Sequence, residues 1–130
     1  MTFNIVADKD RSAFPGKHFG NHIFDITVFD MADRLIVDYT GGYWDYVETD
    51  TGVAFMKLGN DSVVLSNLFS GEPVEADAML AGMIVTSYAM LCAIEKGQES
   101  LIENYDRLKD AIVDYCSETN QMNVWMTIMD

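Results

Sequence analysis

From Asp25 to Tyr39 apolar residues recur at helical spacing, at Val28, Met31 or Ala32, Leu35 and Tyr39. Asp30, Asp33 and Asp38 take other positions. The pattern predicts an amphipathic helix that keeps its carboxylates in water. Gly41 and Gly42 follow, and glycine tolerates the positive φ that ends a helix, so the pair predicts a C-cap. An aromatic-rich strand then begins at once, over about 43–48, with Tyr43, Trp44 and Tyr46. Two more strands are expected at about 53–58 and 62–68. Thr49, Asp50, Thr51 and Gly52, then Gly59, Asn60 and Asp61, supply turn residues between them. Short strands joined by such turns predict an antiparallel meander, closed by Ser70, Gly71, Glu72 and Pro73.

Ala78 to Ile94 carries no charged residue. A membrane span needs roughly 17–25 residues, so the run sits at the short limit. Gly82, Thr86 and Ser87 lower its hydrophobicity, and it lacks a basic N-terminal flank. The expectation is a buried central helix reaching about Glu95, with Glu75 and Asp77 at its positive N-terminal end. Gly97 breaks it. The next helix, about 98–116, has Leu101, Ile102, Tyr105, Leu108, Ile112 and Tyr115 as its apolar stripe. A last helix over about 119–129 presents Met122, Trp125 or Met126, and Met129 to the core. Upstream, Phe3, Ile5 and Ala7 alternate as in an edge strand, and residues 8–22 read as an irregular opening loop. Strands followed by packed helices predict an α+β fold. The expected domain spans residues 1–130 and packs a small antiparallel sheet of three to four strands against about four helices.

Composition supports a packed core, with 49% hydrophobic and 12% aromatic residues in 130. Charge changes the picture more. The chain holds 21 acidic against 8 basic side chains, a net −13. Direct binding to a nucleic-acid backbone needs clustered Lys and Arg, so it is disfavoured. Such acidity serves either solubility or complementarity to a basic protein surface. Cys92 and Cys116 both fall in predicted helices and read as reduced, buried thiols. Asn4, Asp8, Lys9 and Asp10 interrupt the N-terminus early, so no signal peptide is expected and the compartment is the cytoplasm.

Candidate chemistry is sparse. His18 and His22 are four residues apart with Asp25 three further on, a spacing that could place zinc ligands on one helix face. Pro15, Gly16 and Gly20 argue against a helix there, so local hydrogen bonding is the default and no metal site is assigned. No nucleophile elbow or phosphate-cradling glycine loop occurs, and Cys92 has no cue for a lowered pKa. Catalysis and cofactors are therefore not expected. The acids are the better lead: Asp25, Asp30, Asp33, Asp38, Asp45, Glu48 and Asp50 are opposed in that stretch only by Arg34. On a strand Tyr43 and Asp45 share one face, while Trp44 and Tyr46 share the other, so one aromatic set should be core and the other exposed. The candidate partner contact is Asp30, Asp33, Asp38, Tyr43, Trp44, Asp45, Tyr46 and Glu48.

Several strings resemble one family in order along the chain. Asp38 to Tyr46 (Asp-Tyr-Thr-Gly-Gly-Tyr-Trp-Asp-Tyr) resembles the central signature of the antirestriction family typified by ArdB and KlcA. Phe14 to Gly20 is similar to its Phe-Leu-Pro…Phe-Gly segment, and Gly52 to Met56 to its Asn-Gly-Gly-Phe-Tyr-Met strand. Glu75 to Ala78, with Gly82 to Thr86, resembles its Ser-Ala-Asp-Ala-Ala-Gly-Ile-Val-Ala-Thr helix. Tyr105 to Asp110 and the terminal Ile128, Met129 and Asp130 sit where its members carry Tyr-x-x-Leu-Arg-Asp and Ile-Asp. Val53 replaces the second glycine of the Asn-Gly-Gly turn, and the spacing to Gly82 is longer. On this resemblance Gly41, Gly42, Gly52 and Gly82 are structural. It implies a non-enzymatic protein, carried on a mobile element, that relieves type I restriction of incoming unmodified DNA. The implied partner is a host restriction or other DNA-processing protein, with no membrane and no direct nucleic-acid contact. The resemblance also argues against simple DNA mimicry. A CRISPR-type effector is the alternative target, and a metal-dependent enzyme the alternative class.

Overall fold

The structure, a computed structural model, describes residues 1–129; Asp130, the last residue of the C-terminal match, lies outside them. Its centre is α3 (Ala78–Glu95), and the other elements are arranged by what each packs against it. This helix is apolar on every side because nearly every side is covered. By length and composition it could cross a membrane, yet 67% of it is buried inside the molecule, between α2 (Phe24–Leu35), α4 (Ile102–Thr119) and β3 (Ala54–Leu58).

Two antiparallel sheets flank it. The first has order β1-β2-β3, from β1 (Phe3–Ile5), β2 (Trp44–Thr49) and β3. The second pairs β4 (Ser62–Ser66) with β5 (Pro73–Asp77). With five α-helices among the described residues, including α1 (Phe14–Phe19) and α5 (Met122–Met129), the class is α+β.

The expected three-strand meander does not form, and the reason is α3. The outer edge of β3 is already taken. A Cβ on Gly82 would lie 2.4 Å from the Met56 carbonyl oxygen, so only glycine lets the helix backbone come this close. One turn on, the Thr86 hydroxyl accepts from Met56 N at 3.0 Å and lies 3.3 Å from Met56 O, to which it donates. An edge strand leaves such groups unpaired, and here a helix satisfies them. β4 therefore pairs with the segment at 73–77, where the sequence predicts a helix start. Glu75 lies in β5 opposite Val64. Asp77 does cap α3, accepting from Leu80 N at 2.7 Å.

The expected helix over Asp25 to Tyr39 ends at Leu35. Ile36 turns extended (φ −96°, ψ 123°), bridges Leu65 and is buried, and Val37 N bonds Val64 O. A contact with the second sheet thus outweighs the helical periodicity. Tyr39 lies beyond the helix, and its hydroxyl accepts from Trp44 Nε1 at 3.0 Å. Gly41 (φ 97°) and Gly42 (φ 143°) do not cap the helix; they turn the chain into β2.

Residues 8–19 are not an irregular loop. A 3-10 helix at Asp8–Ala13 leads into α1, which buries Phe14, Pro15 and Phe19. At the other end, α5 buries Val124, Trp125 and Ile128 and packs Met122 partly against the core, whereas Met126 and Met129 are exposed, so of the expected stripe Met129 does not face inward. Buried Asn67 ties this helix to the β4–β5 turn. Its amide donates to Thr127 O and Ile128 O, and its Oδ1 accepts from Phe69 N and Ser70 N.

Candidate partner-binding face

The acids and aromatics predicted to meet a partner separate into two groups. On β2, Trp44 and Tyr46 are 4% and 5% exposed and belong to the core, which removes them as direct contacts. Tyr46 stacks on Phe14 with ring centres 4.5 Å apart, and its hydroxyl donates to Asp25 Oδ2. The Arg11 guanidinium lies between the rings of Tyr43 and Tyr46, at 4.7 and 4.6 Å, and its Nη2 donates to Trp44 O at 2.8 Å. This cation-π sandwich pins the N-terminal helical segment across the sheet.

The β2 acids are engaged as well. Asp45 faces Lys57 across the ladder at 3.8 Å. Glu48 Oε1 is hydrogen-bonded to His18 Nε2 at 2.6 Å, with Lys17 at 3.7 Å. The His18 hydrogen bond, aided by the nearby charges and opposed by partial burial, holds the Glu48 carboxyl below its ordinary value. Asp25 behaves oppositely. Burial pushes its carboxyl above its ordinary value, against the pull of the Tyr46 hydroxyl and Arg11. Its Oδ1 is buried without a hydrogen-bond partner among the described residues. The Tyr46 phenol is raised by its burial and by the bond to Asp25.

This geometry dissolves the metal-ligand spacing. His18 turns to Glu48 and Asp25 to Tyr46, while the His22 ring lies over Gly16, where an added Cβ would sit 2.4 Å from its Cε1. Among the described residues no group of three or more His, Cys, Asp or Glu could hold a metal ion. Cys92 and Cys116 are free thiols, and burial pushes the Cys116 thiol up to about 11, so it stays protonated.

The second group stands in solvent. Asp30 and Asp33 lie on the outer face of α2, opposite buried Val28, Met31 and Leu35, and Asp38 follows in the loop with φ 57°. None of the three makes an ion pair among the described residues. Tyr43 is exposed beside them in sequence. Sequence reasoning missed Ile26 and Phe29, exposed apolar residues of the same helix. Their spacing from Val28 and Leu35 put them off the core stripe and could have revealed them. Gly52 lies in the β2–β3 turn, where Thr49 Oγ1 accepts from Val53 N.

The fold is thus an acidic α+β domain with exposed carboxylates on the outer face of α2. Residues 37–130 match the sequence model described as antirestriction protein, and the chain belongs to that family. It is also 29% identical over 119 residues to an Escherichia coli (strain K12) protein described as "Putative antirestriction protein YubI". That match covers 85% of this chain and 82% of the relative.

Proposed function

We propose that this protein relieves type I restriction of incoming unmodified DNA inside the bacterial cell, by binding a host defence protein rather than by catalysis. Family membership supports the antirestriction role. The observation that carries the contact is the set of three exposed carboxylates, Asp30, Asp33 and Asp38, left without an ion pair among the described residues. Unpaired carboxylates on a helix face and the loop after it complement a basic surface and steer its approach. Asp45 and Glu48 already have cationic neighbours and contribute less.

Plating unmodified phage on cells with a type I restriction system, with and without the protein, tests the function. Plaque recovery with host methylation intact is the expected result. Neutralising Asp30, Asp33 and Asp38 together, each to Asn, should then reduce protection without unfolding the protein. Full protection by that variant at equal abundance removes the acidic face from the mechanism.

A further inference from the structure

We infer that the contact face is centred on apolar side chains, Ile26, Phe29 and Tyr43, with Asp30, Asp33 and Asp38 as its rim. Its occupant is a protein surface of aliphatic or aromatic side chains ringed by Lys and Arg. This rests on the partner-binding reading above and names the chemistry of that partner.

The first ground is exposure. Ile26, Phe29 and Tyr43 are 56%, 39% and 62% exposed, although Phe24, Val28, Met31 and Leu35 on the same helix are buried. Ile26 and Phe29 thus keep apolar surface in solvent on a helix whose core face is filled by other residues. Ile26 and Phe29 are one turn apart on α2, with Asp30 and Asp33 on the same helix, and exposed apolar residues rimmed by charge mark interaction sites.

The second ground is rigidity. The Phe29 ring lies 6.1 Å from the Trp44 ring, and Arg11 fixes both the Trp44 carbonyl and the Tyr43 ring. Asp25, one turn before Phe29, is tied to Tyr46. The aromatics are therefore held in place before a partner arrives, which cuts the ordering cost of association. Aromatic anchors inside a polar rim are the arrangement that concentrates binding energy in protein interfaces.

The rim selects the occupant. Three unpaired carboxylates repel nucleic acid and anionic lipid alike. A second copy docking by two-fold symmetry would set the same carboxylates against each other. The cations near the patch are Arg11, held between two tyrosines, and Arg34 on the flank of α2. A partner with Lys and Arg around an apolar centre meets neither obstacle.

The test uses the double variant Ile26→Gln, Phe29→Gln and, separately, Tyr43→Ser, each with every acid intact. Both are read by phage plating, by thermal melting and by sedimentation of the purified chain. The expected result is a native melt with protection reduced by roughly tenfold or more, as loss of interface anchors implies. Full protection by both variants, while the wild type protects, overturns the apolar centre and leaves the antirestriction function standing. No protection by the wild type overturns the function and this inference together. If the double variant fails to melt as native, Tyr43→Ser decides alone, since Tyr43 lies outside the core. A wild-type dimer that these substitutions render monomeric assigns the face to a second copy and overturns the inference.

Discussion

β2 and the outer face of α2 carry the same kinds of residue, aromatics among carboxylates, and the fold uses them in opposite ways. On β2, Trp44 and Tyr46 are interior, Asp45 lies beside Lys57, and Glu48 is bonded to His18. On α2 and the loop after it, Phe29 and Tyr43 keep part of their rings exposed, and Asp30, Asp33 and Asp38 have no ion-pair partner among the described residues. Residue type therefore does not mark a contact surface; what counts is whether the fold has already satisfied the group. One set holds the molecule together, and the other remains available.

The sharpest way to break this comparison is to truncate one aromatic from each set. Trp44→Ala should cost about 3–5 kcal/mol, because a buried large ring leaves a cavity. Tyr43→Ala should cost only about 0.5–1 kcal/mol, the loss of its cation-π contact with Arg11 from an otherwise exposed side chain. Equal losses in denaturant unfolding would erase the distinction. Next in size, Tyr46→Phe removes the hydroxyl bonded to Asp25 and leaves a partly buried carboxylate without its partner. The expected cost is about 1–3 kcal/mol, and it should shrink in an Asp25→Asn background.

The two bonded carboxylates should also give opposite pH dependence. Glu48 has a folded pKa below its usual 4.5. Its contribution is present above that value and is lost as pH falls through the lower folded pKa. Asp25 has a folded pKa above its usual 3.8, so ionising it costs stability as pH rises through that window. Compared with Glu48→Gln, the wild type should lose its advantage toward acid. Compared with Asp25→Asn, it should lose ground on leaving acid. Denaturant melts across the acid range read both slopes, and slopes of the same sign would contradict the assignment. The smallest effect belongs to neutralising Asp30, Asp33 and Asp38 together, each to Asn. The melt should move by no more than about 0.5 kcal/mol and upward, since removing three negative charges relieves self-repulsion in a chain of net −13.

Much of the fold was legible because local rules governed it. The helix core stripe Val28, Met31 and Leu35, the β2–β3 hairpin and the α3 run without charge from Ala78 to Ile94 all follow from periodicity and turn residues. The misreadings share one cause, a distant contact that outweighed a local preference. Ile36 left the helix for Leu65, and β4 found β5 because Gly82 and Thr86 had closed the edge of β3. Residues 8–19 took helical form because Phe14 and Phe19 enter the core and Arg11 reaches Trp44 and Tyr46. Of the candidate face, the sequence pointed to the acids and aromatics. It could not tell Asp30 from Glu48, because both are acids near aromatics.

By itself, then, the sequence determined the α+β class, the buried central helix, the acidic character and the family likeness. Each depends on composition, short-range periodicity or ordered motifs, which need no knowledge of distant neighbours. Only the tertiary structure decided which carboxylates meet a cation and which aromatics face water. Ion pairing and burial are properties of residues far apart in the chain: Glu48 meets His18 across thirty positions, and Trp44 is buried where Tyr43 beside it is exposed.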